Sequence, residues 1–201
     1  MSCLTRWRVC PVGATTPASA STAMSDVRDT LSRMATSPHP DRARPVIPDG
    51  YGVPSTTEGL LSWGEVEERL CASRHYWLAT VRPDGTPHSV PRWGVWLEGR
   101  FYYDGAPTTR HARNLEHNPA CTLTLESGAE AVIVEGVSEA TGADPAGLGA
   151  RLATAFEKYH PDYAPGPDSW AGEQGSGLRV ITPKRAFAWF AFPNDCTRFT
   201  F

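Results

Sequence analysis

Residues 75–119 read HYWLATVRPDGTPHSVPRWGVWLEGRFYYDGAPTTRHARNLEHNP and contain three runs rich in β-branched and aromatic residues. An RPDG turn at 82–85 and an EG turn at 98–99 separate these runs, and Pro, Asp and Gly favour chain reversal there. Short runs with such turns between them predict antiparallel hairpins. The three predicted strands are 75–81, 87–97 and 100–104.

The middle strand carries two prolines and a glycine that restrict where it can lie. Pro87 and Pro91 have no N–H to donate, so we expect this strand at a sheet edge or bulged. Gly94 indicates a close approach of another group to the backbone. The alternation of side chains predicts two faces, one with Trp93, Val95 and Leu97 and the other with Val90, Arg92, Gly94 and Trp96.

The polar and aromatic side chains of these strands allow two interpretations. Arg92 stands between apolar neighbours, so its charge needs an exit to solvent or a partner such as a cross-strand Glu. The aromatic rings either line a slot for a planar ligand or form ordinary core, and both possibilities stay open. The rings concerned are those of Trp93, Trp96, Tyr102 and Tyr103.

A short basic helix is predicted over 108–117, and it ends at Asn118 because a residue before Pro avoids the helical region. A Thr hydroxyl at its start can cap the helix and donate to a phosphate, and Arg110 and Arg113 share a helix face that can grip one. The alternative is a solvated helix whose arginines pair with Glu116 or water. Taken alone, His111 is interpreted as a surface residue.

The remaining elements complete a mainly β fold with short helices. The S-x-x-E capping box at 62–65 predicts a helix over 62–73, and Asp144-Pro145 opens another that extends to Tyr159. The predicted fold is a split β-barrel of about six antiparallel strands with two or three helices. Its further segments are strands 121–126, 131–140 and 178–192 and a Pro- and Gly-rich loop at 160–177, which we expect to act as a lid or binding loop.

The first 50 residues differ from the barrel domain predicted over 51–201. They contain six prolines and no apolar periodicity, so we expect a disordered tail. They also lack the apolar centre of a secretory signal. Met24 and Met34 offer alternative starts, and we favour a true translation start downstream of Met1.

Composition excludes several classes of function. The net charge of −3 argues against a general affinity for nucleic acid, and no apolar run approaches the roughly 18 residues of a membrane span. Five cysteines without a CxxC pair argue against a disulfide framework or a zinc site and favour a cytoplasmic protein. We interpret Cys71 and Cys121 as buried small hydrophobes.

The sequence has no GxSxG, Walker, HExxH or post-strand GxGxxG motif, which points to a bound cofactor as the reactive group. The runs ATVRPDGTPHSVPRWGVW, FYYDG and TTRHARNLEHNP resemble the pyridoxamine 5′-phosphate oxidase-like family of split barrels. Within that family they are most similar to flavin/deazaflavin oxidoreductases that use FMN or F420. The resemblance covers roughly residues 60–201, and the C-terminal FAWFAFPNDCTRFTF and the TTRHARNL segment favour the F420 branch.

The resemblance implies a homodimer with two cofactor sites at the subunit interface. It implies that the cofactor phosphate is held by Thr109, Arg110 and His111. His111 stands where a Lys is common in the family, which weakens the grip on the phosphate unless Arg113 compensates. It implies ring contacts from Val90, Pro91, Trp93, Tyr102 and Tyr103. Val95 stands near a Lys of the true pyridoxamine oxidases, so that particular activity is not expected.

Three hypotheses follow. The first is a hydride-transferring oxidoreductase that uses F420 or FMN and an unknown small organic substrate. Its acid or base is not assigned, with Tyr103 and His88 as the candidates. The second is a non-catalytic protein that sequesters a flavin, F420 or haem. The third is a barrel retained only as a dimerisation module.

Overall fold

The computed structural model of the protein describes residues 39–172 and 177–201. Within these residues the chain forms nine strands. They are β1 (Asp41–Ala43), β2 (Tyr76–Val81), β3 (Pro87–Arg92), β4 (Val95–Leu97), β5 (Arg100–Tyr103), β6 (Ala120–Thr124), β7 (Ala131–Ala140), β8 (Arg179–Trp189) and β9 (Thr197–Thr200). The three helices are α1 (Trp63–Ala72), α2 (Arg110–His117) and α3 (Ala150–Phe156). The predicted mainly β class is confirmed.

All strand pairs are antiparallel, and the sheet runs in the order β1-β9-β8-β7-β6-β2-β3. The long strand β8 joins two parts of the fold. Its first residues pair with β5, and Arg185–Ala188 pair with β9. The β4–β5 hairpin therefore branches from the sheet through β8, which produces a split barrel.

The predicted number of about six strands was too low. The single strand predicted over 87–97 is broken between β3 and β4, because Gly94 is pressed against the β4–β5 hairpin. A Cβ on Gly94 would lie 2.3 Å from the Phe101 ring and 2.6 Å from the Tyr102 carbonyl oxygen. The predicted close approach at Gly94 is thereby confirmed. The predicted edge position of β3 is also confirmed, because β3 pairs only with β2 among the described strands.

Two clusters of buried side chains fill the molecule, and β5 contributes to both because its side chains alternate. The main cluster includes Phe101 and Tyr103 together with Leu78, Leu123, Val134 and Ile181. The second cluster lies at α3 and includes Tyr102 with Val95, Leu152, Phe156, Tyr159 and Trp170. Val90 and Trp96 belong with the main cluster and Leu97 packs on the second, so the predicted faces survive the break in the strand.

Helix α1 begins with the predicted capping box. Ser62 Oγ accepts from the Glu65 N–H at 3.3 Å, and Glu65 Oε2 accepts from the Ser62 N–H at 2.8 Å. The helix buries Trp63, Val66 and Leu70 in the main core. Cys71 packs against the same core and Cys121 is buried within it, as the sequence predicts.

The ordered domain begins earlier than the predicted boundary at residue 51. Strand β1 pairs with β9 through Asp41–Thr200 and Ala43–Arg198. The segment is polar and rich in proline, but pairing with a neighbouring strand satisfies its backbone, which composition alone does not show. Residues 1–38 of the predicted tail, including Met24 and Met34, lie outside the described residues.

The segment after β7 contains the predicted helix from Pro145 to Tyr159, as a π-helical turn, α3 and a 3₁₀ turn. The following loop holds a 3₁₀ turn at Pro167–Trp170, and Trp170 is fully buried. Residues 173–176 of that loop lie outside the described residues. Among the helices that the structure describes, none has the length and apolar character needed to cross a bilayer.

Candidate functional site

Three segments predicted to form the site converge around Tyr103, at the end of β5. Arg92, the last residue of β3, places its guanidinium carbon 5.4 Å from the Tyr103 ring centroid. His111, in the first turn of α2, lies 6.0 Å from Tyr103 between ring centroids. The end of β3, the end of β5 and the start of α2 thus meet at Tyr103.

This place holds two arginines without a carboxylate partner among the described residues. Arg179, at the start of β8, is buried and donates from Nε to Ser138 Oγ at 3.2 Å. Arg92 Nη2 donates to the backbone carbonyl of Asp104, and its Nε is buried without a hydrogen-bond partner. The proposed cross-strand Glu partner of Arg92 is therefore wrong, because a main-chain oxygen and an aromatic face serve instead.

His111 is only 4% exposed, so its interpretation as a surface residue was wrong. Burial, reinforced by the charges of Arg92, His88 and Arg179, lowers the pKa of His111 to about 4. Its ring is consequently neutral near pH 7 and supplies no positive charge. Thr109 Oγ1 and His111 Nε2 share a hydrogen bond of 3.2 Å, and the Thr109 side chain does not cap the helix.

Arg110 and Arg113 lie on the outer face of α2 and are both exposed. Neither forms an ion pair with a described carboxylate, so the alternative pairing with Glu116 is absent there. The opposite face of α2 is anchored by Asn114, whose side-chain N–H donates to Thr80 Oγ1 at 3.0 Å. The helix thus presents two exposed guanidinium groups that pair with no carboxylate among the described residues.

A cleft of about 290 Å³ opens beside Arg92. Trp93 forms one wall, with 39% of its surface exposed and its ring stacked on Tyr159 at 5.1 Å and 18°. The Tyr159 hydroxyl accepts from the Gly94 N–H at 3.0 Å, which fixes the ring under Trp93. The cleft is lined by Pro91, Arg92, Trp93, Asp104 and Tyr163.

Asp104 connects the long loop to this cleft. Its Oδ2 accepts from the Tyr163 hydroxyl and, at 2.7 Å, from Trp170 Nε1. Burial and the Asp104 carboxylate raise the pKa of Tyr163, so this hydroxyl keeps its proton. Tyr163 and Trp170 therefore anchor the loop on Asp104, and Tyr163 lines the cleft, while the expected role as a lid or binding loop stays a prediction.

A larger groove of about 670 Å³ runs between α3 and the loop. It is lined mainly by small residues such as Ala150 and Ala153, and no predicted site residue contributes to it. The cleft at Arg92 has both an aromatic wall and a cation, so it carries more capacity for specific binding.

Apart from Arg110 and Arg113 on the outer face of α2, the structure separates the predicted residues into three groups. Trp93 and Pro91 line the cleft, and Tyr103, Thr109 and His111 surround the buried cations. Tyr102 faces the second core and Val90 packs on the main core, so these two are not brought into the cleft. Val95 is buried in the second core, away from a position where a lysine could act.

Sequence reasoning missed Arg179, Asp104 and Tyr163. Asp104 had a signal, because an acidic residue directly after a buried strand is available to a site. Arg179 and Tyr163 had no such signal, because their contacts depend on packing between segments that are distant in sequence. Tyr103 is disfavoured as a base, because burial raises the pKa of its hydroxyl.

Residues 62–190 match the sequence model of the pyridoxamine 5′-phosphate oxidase family. That match spans more than half of the chain, and the protein belongs to the pyridoxamine 5′-phosphate oxidase-like family. No curated protein matches the chain.

Two solved structures match the fold with TM-scores above 0.5, and a third is similar at a lower score. A conserved hypothetical protein from Mycobacterium tuberculosis has 25% identity and a TM-score of 0.54, covering 67% of this chain and 88% of that one. A heme binding protein from Mycobacterium smegmatis has 20% identity and a TM-score of 0.51, covering 70% and 58%. An F420 reductase has 23% identity and a TM-score of 0.45, covering 70% and 98%.

Proposed function

We propose that the protein is a flavin- or deazaflavin-dependent oxidoreductase that transfers hydride between bound F420 or FMN and a small organic substrate. The observation that carries this proposal is the convergence of Arg92, Tyr103 and His111 beside an aromatic cleft. F420 is favoured by the likeness of TTRHARNL and the C-terminal segment to that branch of the family.

The donor set fits a cofactor that combines a planar ring with phosphate. Arg110 and Arg113 offer guanidinium groups that no described carboxylate occupies, and guanidinium binds phosphate oxygens well. The buried Nε of Arg92 and Nδ1 of His88 have no hydrogen-bond partner among the residues that the structure describes. Buried polar atoms normally have hydrogen-bond partners. Two unpaired atoms in one place therefore favour a site where a bound ligand supplies the missing partners.

In this proposal the phosphate is held by Thr109, Arg110 and Arg113, with His111 as a neutral neighbour. The ring lies against Pro91 and Trp93, which line the cleft, and not against Val90 or Tyr103, which are held in the main core. When bound, F420 or FMN supplies the hydride chemistry. The chain's own residues bind and orient the reactants, and Trp93 with Tyr163 limits the access of water. No side chain is assigned as acid or base.

We also propose that two copies of the chain complete the site, in a cytoplasmic homodimer. Light scattering of the purified protein measures this directly. A dimer that persists at micromolar concentration is expected, and a monomer at every concentration would contradict it.

The direct test follows the absorption spectrum of purified protein while F420, FMN and haem are added in turn. Binding of F420 or FMN, followed by reoxidation of the reduced ligand with candidate acceptors, is expected. Binding without turnover, or of haem alone, would instead support a sequestering protein. If none of the three binds, both functions are wrong and a dimerisation module remains.

Arg110→Ala sharpens this test. Loss of a charged hydrogen bond to phosphate costs about 1.5–3 kcal/mol, so we expect cofactor binding to weaken roughly 10- to 150-fold. Arg185→Ala is the matched control, because Arg185 is an exposed arginine paired with Glu135 on the surface. Equal affinity in wild type and Arg110→Ala would remove α2 from the phosphate site.

A further inference from the structure

We infer that the cleft lined by Arg92, Trp93 and Tyr163 binds the substrate, and that it selects small planar molecules carrying a carboxylate. This inference rests on the proposed function, since it names the class of molecule that would exchange hydride with the cofactor. It assigns a role to Asp104, which the proposed cofactor site does not use, and it gives Arg92 and Tyr163 a direct contact with the substrate.

The size of the cleft indicates a small ligand. At about 290 Å³ it lies at the lower end of the volumes of small-molecule sites, roughly 300–1,000 Å³. Such a space accommodates one or two fused rings, and a tricyclic cofactor with its phosphate-bearing chain needs more. The cleft also borders Pro91 and Trp93, two residues proposed to contact the cofactor ring.

The wall of the cleft indicates a planar ligand. Trp93 is stacked on Tyr159 on one side and keeps 39% of its surface exposed. The Tyr163 ring stands 6.3 Å from Trp93 between centroids, at an angle of 50°. Aromatic pairs favour offset or tilted contacts at this range, so a further ring can pack there.

The charge of the cleft indicates an anionic ligand. Arg92 uses only Nη2 for a hydrogen bond within the described residues, and this bond goes to a neutral carbonyl. Asp104 also lines the cleft, but its Oδ2 already accepts from the Tyr163 hydroxyl and from Trp170 Nε1. The guanidinium of Arg92 is therefore left without a carboxylate partner among the described residues, and a ligand carboxylate can take that place.

Arg92 is also held in place for such a contact. The Tyr103 ring lies on one side of its guanidinium, and Gly105 lies on another. Asp104 Oδ2 is already engaged by Tyr163 and Trp170, so its carboxylate is directed toward the loop. A guanidinium fixed in this way loses little side-chain freedom when it binds a carboxylate in bidentate geometry.

The experiment compares 2-naphthoate with its neutral analogue 2-naphthamide, measured by calorimetry and by tryptophan fluorescence on cofactor-free protein. Wild type is expected to bind the carboxylate at least about tenfold more tightly than the amide. Arg92→Met is expected to abolish that preference while amide binding stays. Trp93→Ala is expected to weaken both probes.

Two further variants separate a lost contact from a damaged fold. In Gly105→Ala the new Cβ would lie 2.8 Å from Arg92 Nη2, so the guanidinium shifts while its charge remains, and the preference is expected to fall. Arg185→Met removes an exposed arginine elsewhere and is expected to change nothing.

Equal binding of the two probes by wild type, or an unchanged preference in Arg92→Met, would overturn the inference. Displacement of 2-naphthoate by F420 or FMN would also overturn it, because the cleft would then hold the cofactor. The probes are bound without cofactor, so failure of cofactor binding in the earlier titration is a separate result and affects only the proposed function.

Discussion

At the scale of single residues, His111 shows how neighbours decide the chemistry of a side chain. It occupies the first turn of a basic helix, where a positive charge is expected, yet burial and two nearby arginines keep it neutral. Arg92 and Arg179 carry the charge instead, from two different strands. The positive charge expected at His111 is therefore supplied by Arg92 and Arg179, which are distant in sequence and come together only in the folded chain.

His111 makes stability depend on pH. Its pKa is near 6.5 when unfolded and about 4 when folded, so the unfolded state binds the extra proton between these values. Stability is fully present above about pH 6.5 and is lost as the pH falls toward 4. At about 1.4 kcal/mol per pKa unit, the loss amounts to roughly 3 kcal/mol.

Urea unfolding of wild type and His111→Gln between pH 4 and 7 measures this effect. The variant is expected to lose that part of the pH dependence, whereas His117→Gln, an exposed histidine of the same helix, is expected to keep it. Identical pH profiles for wild type and His111→Gln would show that His111 is not the titrating group.

At the scale of elements, the junction of β3 and β4 controls the position of the site. Gly94 lets the hairpin approach closely, and this turns Trp93 outward onto Tyr159 while Arg92 points toward Tyr103. The break in the strand is therefore what places the two side chains on the cleft.

Gly94→Ala tests this junction. The added methyl group would overlap the Phe101 ring and the Tyr102 carbonyl oxygen, and such overpacking typically costs about 1–3 kcal/mol. Gly128→Ala is the control, because a Cβ there meets nothing within 4 Å. Equal unfolding free energies for the two variants in urea would contradict the tight fit at Gly94.

Much of the fold could be predicted from local patterns, and much of the site could not. The capping box, the alternation of residues 90–97 and the edge prolines depend on neighbours in sequence, and each is confirmed. Strand β1, the partner of Arg92 and the anchoring of the loop on Asp104 depend on contacts between distant residues. Periodicity carries no information about such contacts, so those parts needed the structure.

At the scale of the whole molecule, Arg44 ties the N-terminal strand to the C-terminal end. Its Nε donates to the Thr56 carbonyl at 2.8 Å, and its Nη1 donates to the carbonyls of Asn194 at 2.8 Å and Cys196 at 3.1 Å. Nη2 donates to the carbonyl of Glu58. One side chain thus joins three separate segments.

Arg44→Ala is therefore expected to lower the free energy of unfolding by about 1.5–3 kcal/mol, the range of hydrogen bonds to a charged group. Arg42→Ala is the control, since its contacts to Leu60 and Leu61 are long, at 3.4 Å each. Chemical unfolding followed by tryptophan fluorescence measures both. If Arg42→Ala lowered the free energy of unfolding more than Arg44→Ala, the conclusion that Arg44 joins these segments would be wrong.

The prolines of β3 have a consequence for how copies of the chain can meet. The backbone nitrogens of Pro87, Ser89 and Pro91 lie on the same side of the strand, because they alternate along it. Two of these three residues are prolines and have no N–H. A foreign strand that approached this edge would find few donors, so growth into an extended sheet, the usual start of aggregation, is blocked there. Subunits that met at this particular edge would therefore have to do so through side chains, and the sheet can expose an edge beside the cleft without promoting strand pairing there.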